Sequence, residues 1–211
     1  MCIRDRNYCI RKVRAGESEF LKELFALYKL GLTTGNMFES NILSPWKYKN
    51  IASVGLRLEE FEWVREFIET YKTRLPIEFQ ENAYAYNLAD LHYRTGAYDK
   101  ALRGLLRVEF SDVFYSLDTR KMMLMIYFEQ GEEEPMRSLI ASFRLFLKRN
   151  TLISENNRKA YSNFVNLVQA IHKQASTQSD VGLILEKIDQ TRPLIEEGWL
   201  MEMAKKGFQE I

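Results

Sequence analysis

The chain has 211 residues, of which 46% are apolar and 28% are charged, a composition that can form a folded core and that excludes a disordered polypeptide. Its net charge of +1 lacks the basic excess from which a nucleic-acid partner is usually inferred. The local patch of Arg144, Lys148 and Arg149 is expected to be a solvated helix face. Two cysteines, Cys2 and Cys9, are too few for a disulfide framework or a zinc site and indicate a reducing compartment.

The first six residues, MCIRDR, resemble the translated end of a sequencing adapter. We therefore expect residues 1–6 to be foreign to the natural protein, whose true N-terminus would lie further upstream and could carry an export signal. The chain has no apolar run near the ~20 residues of a membrane span, and no signal-peptide core near its start. A cytoplasmic protein without a membrane span is the expectation.

Apolar residues recur with helical spacing along the chain, and no alternating run long enough for a sheet is present. Residues 7–30 are expected to form helices of an incomplete first unit, followed by a longer connection. Residues 45–77 then form a helix pair, in which Leu58–Glu60 make the turn and Pro76 ends the second helix. The packing faces of this pair carry Tyr48, Ile51, Ala52 and Gly55, and then Phe61, Val64, Ile68 and Tyr71.

The same arrangement recurs over residues 82–113 and 117–149. The middle pair contains the segment NLADLHYRTGAYDKAL, in which Gly96 suits the left-handed conformation that ends a helix. In the third pair Gly131 has this position, and acidic residues and a proline follow at the start of the next helix. The chain therefore contains three predicted helix pairs.

The C-terminal flank, residues 154–206, is expected to cap the array. It begins with a long amphipathic helix over Ser154–Lys173. A polar linker over 175–180 separates this helix from two last helices, the second of which is expected to begin at Pro193.

A spacing of about 34–37 residues with two helices per unit resembles the tetratricopeptide repeat. The matching residues are Leu88, Ala89, Gly96, Tyr98, Ala101 and Leu105 in the middle unit, Tyr48, Ala52, Phe61, Val64 and Pro76 in the first, and Tyr127 and Gly131 in the third. The resemblance implies an all-α fold, a right-handed α-solenoid of stacked antiparallel helix pairs that forms a single domain over residues 1–211. An irregular helical bundle is the alternative. The whole chain also resembles helical-repeat proteins of Bacteroidetes-type bacteria.

In tetratricopeptide arrays the first helix of each pair lines a concave groove that binds partners, so the resemblance also implies candidate binding residues. Aromatic and arginine side chains beside charged ones suit a peptide or protein segment. For the aromatic residues the alternative is packing against the neighbouring pair, and for the charged ones it is ordinary solvation. The candidates are Lys49, Ser53, Arg57, Tyr86, Asp90, Tyr93, Arg94, Lys121, Met125 and Phe128.

No catalytic pattern is present in the sequence. The two histidines, His92 and His172, form no metal-binding motif, and His92 is expected to pack on a core face. There is no Gly-rich phosphate loop and no G-x-S-x-G motif. The acidic run Glu132–Glu134 is interpreted as a helix start, because consecutive carboxylates on a helix point in different directions. We expect no enzymatic activity, no cofactor and no metal site.

The function expected from these features is that of a non-catalytic protein-interaction module or scaffold that binds a peptide or protein segment. An RNA-binding helical-repeat protein is one alternative. It requires a basic concave face, against which Asp90, Asp118 and Glu129 argue. A fragment of a larger regulator or enzyme whose active domain is missing is the other alternative.

Overall fold

The structure, a computed structural model, describes residues 3–108, 113–175 and 181–206. Met1, Cys2, the end of the middle predicted pair at 109–112 and the predicted linker from residue 176 to 180 lie outside these residues. Most of the described residues are helical. They contain one isolated bridge, between Glu39 and Ile42, and no strand, so the prediction of an all-α fold is confirmed. The chain divides into two compact units, residues 1–109 and 110–211.

The described part of the first unit contains six α-helices. Each predicted helix of this unit is present, and the turn at Leu58–Glu60 separates two helices as expected. Helix α5 contacts three other helices of the unit, α3, α4 and α6. The helices are α1 (Ile3–Arg14), α2 (Phe20–Thr33), α3 (Pro45–Arg57), α4 (Phe61–Tyr71), α5 (Ile77–Arg94) and α6 (Tyr98–Leu105), with a short 3-10 turn over Lys72–Arg74.

The described part of the second unit contains five α-helices, with α9 in contact with each of the other four. The last helix begins at Glu197, so the prediction that it begins at Pro193 is wrong. Glu196 has a φ of 52°, and this left-handed backbone prevents the helix from extending further toward the proline. The helices are α7 (Val113–Glu129), α8 (Glu133–Arg149), α9 (Glu155–Ala175), α10 (Val181–Gln190) and α11 (Glu197–Lys206).

The helix pairs α3–α4, α5–α6 and α7–α8 share one turn geometry, which the α1–α2 turn also has at Gly16, where the Glu17 amide donates to the Lys12 carbonyl at 3.1 Å. In each turn a residue with positive φ follows the first helix: Glu59 at 60°, Gly96 at 73° and Gly131 at 70°. The next amide donates back to a carbonyl five residues earlier, which is the Schellman arrangement. These bonds run from Glu60 to Gly55 at 3.0 Å, from Ala97 to His92 at 2.8 Å and from Glu132 to Tyr127 at 2.9 Å. The helix-ending role predicted for Gly96 is therefore confirmed.

Glu59 is the non-glycine member of this set, and Glu59→Gly is expected to raise the free energy of unfolding by about 0.5–1 kcal/mol. The free energy gained by relieving the left-handed strain is larger than the free energy lost because glycine makes the unfolded chain more flexible. The matched change Gly96→Ala is expected to cost about 1 kcal/mol. A Cβ at Gly96 meets no atom within 4 Å, so this cost is purely conformational. Urea unfolding checks both changes, and destabilisation by Glu59→Gly would contradict the argument.

Helices α3 and α4 approach closely at Gly55. A Cβ there would lie 2.5 Å from Cγ2 of Val64 and 3.2 Å from Cε2 of Phe25. Val64 is fully buried and β-branched, so it has little freedom to move aside. The face predicted for α3, which includes Tyr48 and Ala52, is buried as expected because glycine permits this contact.

Candidate partner-binding surfaces

Three of the candidate residues, Lys49, Ser53 and Arg57, lie along α3. The Nζ atom of Lys49 lies 5.8 Å from the ring centre of Trp46 and 4.9 Å from that of Tyr86. Both rings present the negative face that attracts a cation, so they hold the ammonium group in place. Arg57, at the end of α3, is exposed.

Ser53 and Arg57 line a cavity between α1, α2 and α3, which we call the α1–α3 cavity. Its volume is about 180 Å³. Its lining combines apolar and polar groups, and the polar side chains Asn50, Ser53 and Arg57 all come from α3. The apolar walls are Ile10, Val13, Leu24, Val54 and the body of Tyr28. A cavity that combines apolar side chains with polar groups from one helix can accept a side chain and orient the backbone attached to it.

The candidate residues on α5 divide into two groups. Tyr86 and Tyr93 are buried, with 3% and 9% of their surface exposed, so their rings pack inside the unit. The ring of Tyr93 lies 5.9 Å from that of Tyr98 on α6. Asp90 and the exposed Arg94 form an ion pair at 3.6 Å. These burial values agree with the packing alternative for the two tyrosines and leave Arg94 accessible to a partner.

The opposite face of α5 lines a groove of about 270 Å³ against α6, here called the α5–α6 groove. Ala89 is buried, whereas Leu88 and His92 are half-buried and open to solvent. A Cβ at Gly104 would lie 3.2 Å from Cβ of Ala89, so small residues set the depth of the groove. The basic side chains that line it are His92, Lys100, Arg103 and Arg107.

The pKa of His92 is lowered by burial and, to a smaller extent, by the positive charges of Arg65 and Lys100. The folded protein therefore binds a proton at His92 less readily than the unfolded chain does. The contribution of this histidine to stability is fully present above its ordinary pKa of about 6.5, and it declines as the pH falls toward the lower pKa of the folded state. We therefore expect the free energy of unfolding to fall as the pH is lowered from about 7 through the ordinary histidine pKa of about 6.5. His92→Gln should flatten this decline, and Lys100→Gln should reduce it. Urea unfolding across this range measures it, and an unchanged slope in His92→Gln would contradict the prediction.

The candidate residues on α7, Lys121, Met125 and Phe128, contact other parts of the second unit. Lys121 forms an ion pair with Glu196, and the ring of Phe128 meets that of Trp199 edge-on at 5.5 Å. Met125 is 3% exposed. The indole N–H of Trp199 also donates to Glu129 Oε1 at 2.6 Å. The C-terminal segment therefore covers much of the α7 face that was predicted to line a groove.

A partly buried hydrogen bond joins α7 to α9 beside this face. The hydroxyl of Tyr161 donates to Oδ1 of Asp118 at 2.7 Å. Burial and the charge of Asp118 raise the pKa of Tyr161 far above its usual range, so the hydroxyl keeps its proton. Asp118 was considered as a groove residue in the sequence and serves here as an acceptor within the unit.

A larger groove lies between α8 and α9, here called the α8–α9 groove, with a volume of about 560 Å³. Sequence reasoning missed it. Arg144 is exposed, as expected of a solvated helix face, and it also donates to side-chain oxygens of Asn166 at 2.7 Å and Gln169 at 2.8 Å on α9. The i, i+3 spacing of the two amides places them on one side of α9, but nothing in the sequence pairs that side with Arg144.

No protein-family model matches the chain, and neither the curated proteins nor the solved structures gave a significant match. Within the described ranges, none of the helices combines the length and apolar composition that crossing a membrane requires. In the same ranges, no three His, Cys, Asp or Glu side chains are grouped so as to hold a metal ion.

Proposed function

We propose that this chain is a non-catalytic protein-interaction module that binds an extended segment of a partner along α3. The observation that carries the proposal is the α1–α3 cavity, in which the candidate residues Ser53 and Arg57 meet an apolar wall. Its volume of about 180 Å³ is below the ~300–1,000 Å³ of typical small-molecule pockets. A cavity of this size suits one apolar side chain of a peptide.

The charged residues of α3 supply the rest of the proposed site. Arg57, exposed at the mouth of the cavity, would donate to a carbonyl or carboxylate oxygen of the segment. Lys49 lies two turns earlier on the same helix, held by aromatic rings, and would contact the segment further along. A buried apolar anchor with flanking polar contacts is a usual mode of peptide recognition.

The finer fold assignment forms part of this proposal: α3–α8 are three tetratricopeptide-like antiparallel pairs of an α-solenoid. Support comes from the shared turn geometry of the three pairs and from the contacts between the two helices of each pair. An experimental structure of the full chain tests it. Two helices of one pair that cross near a right angle would contradict it.

Selection of a displayed random-peptide library on the purified full chain tests the proposed function. Peptides with one recurrent apolar residue are expected. Ser53→Leu, which fills the cavity, and Arg57→Ala should each weaken the selected peptides by about tenfold or more. Arg65→Ala, on the exposed side of α4, is the matched control and should leave binding unchanged.

Two results would overturn the proposal. One is the recovery of no peptide, or of peptides whose binding Ser53→Leu does not change. The other is binding of single-stranded oligouridine in place of peptides, with an affinity that falls steeply as salt is added, which would favour the RNA-binding alternative.

A further inference from the structure

The α8–α9 groove has an apolar floor and a basic rim. Met136 and Ile140 on α8 form the floor, with only 2% and 4% of their surface exposed, and Ala170 on α9 completes it. The charged and titratable side chains that line the groove are Arg137, Arg144, His172 and Lys173. No carboxylate lines it within the described part of the chain, so the groove is positive in character.

The carboxylate of Glu133 lies near the end of this groove and compensates part of the charge. Glu133 pairs with Arg137 and lies 3.7 Å from Nε2 of His172. Arg144 is two helical turns from Arg137, about 10 Å along α8. Among the described residues, no acidic side chain lies within ion-pair distance of Arg144. The uncompensated charge is therefore centred on Arg144.

The hydrogen bonds of Arg144 orient its guanidinium group without neutralising it. Both bonds come from Nη2, and both acceptors, Asn166 Oδ1 and Gln169 Oε1, belong to uncharged amides. The N–H groups on Nε and Nη1 donate to no other described residue. A planar cation held in this way can donate to a carboxylate with little loss of side-chain entropy.

From these features we propose that the α8–α9 groove binds an acidic, extended segment of another protein. A carboxylate of the segment accepts hydrogen bonds from Arg144, and a neighbouring apolar side chain covers Met136 and Ile140. The distance from Arg137 to Arg144 fits about three extended residues. A protein segment is favoured over single-stranded RNA because, among the described side chains, no Phe, Tyr or Trp ring lines the groove for base stacking. This surface is distinct from the α1–α3 cavity and does not depend on the function proposed for that cavity.

Three labelled hexapeptides test the proposal by fluorescence anisotropy with the full chain. One alternates Glu and Leu, and its analogues carry Gln or Lys in place of Glu. The Glu peptide is expected to bind, with the Gln and Lys peptides at least about tenfold weaker. Arg144→Gln should weaken the Glu peptide by about tenfold or more, whereas Arg144→Lys, which keeps the charge without the fork, should have a smaller effect.

Matched variants separate a specific site from general charge attraction. Arg149→Gln changes an exposed arginine at the end of the same helix and should leave binding unchanged. Asn166→Ala frees the guanidinium group and should cause a smaller loss than Arg144→Gln. Ser53→Leu should have no effect, which distinguishes failure here from failure of the function proposed for the first unit. Circular dichroism confirms that each variant is folded.

Three results would overturn the inference. The first is no binding of the Glu peptide at about 1 mM. The second is an equal loss of binding in Arg144→Gln and Arg149→Gln, which would show general attraction. The third is binding of single-stranded oligouridine that exceeds that of the Glu peptide and is lost in Arg144→Gln, which would assign the groove to RNA.

Discussion

Phe67→Ala is expected to lower the free energy of unfolding by about 3–5 kcal/mol, the largest effect that we predict for the first unit. Phe67 is 2% exposed and lies at the centre of an aromatic cluster. Its ring stacks on that of Trp63 at 5.3 Å and lies 5.1 Å from Tyr48 and 5.2 Å from Tyr71. Truncation removes these contacts and leaves a cavity between α3 and α4, whose close approach at Gly55 limits collapse.

Urea unfolding measures this loss, and the fluorescence of Trp63 follows the first unit because its ring contacts Phe67 directly. Ile77→Ala is the matched control, since Ile77 is 80% exposed and its truncation should change stability by less than about 0.5 kcal/mol. A loss below about 1 kcal/mol for Phe67→Ala would show that the cluster is not a close-packed core.

Trp199→Ala is expected to cost about 3 kcal/mol in the second unit. The indole contacts Phe128 on α7 and lies 6.0 Å from the ring of Phe164 on α9, so it joins α11 to both helices. It also donates the hydrogen bond that Glu129 accepts. Because Trp199 is only half-buried, the cost is placed at the lower end of the range for aromatic truncation.

Two further variants divide this effect into its parts. Trp199→Phe keeps an aromatic ring and removes the N–H donor, and should cost about 1 kcal/mol. Trp46→Ala, at a tryptophan that is 42% exposed, is the matched control and should cost about 1 kcal/mol or less.

Hydrogen exchange of the α7 amides should rise in Trp199→Ala. If exchange is unchanged, α11 does not protect the face that carries Lys121, Met125 and Phe128.

The contact between Trp199 and Phe128 also changes how the second unit can bind a partner. A ligand that used the α7 face would have to displace residues 196–199, and would lose the free energy that Trp199→Ala measures. No such displacement is needed at the α1–α3 cavity or at the α8–α9 groove. For this reason the proposed binding sites are placed on those two surfaces.

The helices themselves were predictable because their signals are local. Apolar spacing, Gly96 and Gly131 define where chain segments coil and where they stop, and the structure has helices there. The start of α11 was missed because Pro193 is a common first residue of helices, whereas the left-handed backbone at Glu196 has no marker in the sequence. Glu59 likewise has a left-handed backbone in its turn, and because it is not a glycine, nothing in the sequence marks that conformation.

The binding surfaces were less predictable because they depend on how many neighbours each helix has. A helix with one neighbour buries one face, but α5 contacts α3, α4 and α6, so Tyr86 and Tyr93 are buried although they were predicted to line a groove. Residues distant in the sequence also meet: Trp199 covers Phe128, and Asn166 and Gln169 orient Arg144. Local spacing thus sets the helices of this protein. Tertiary packing sets which faces stay accessible, because burial is a property of neighbouring helices and not of one helix alone.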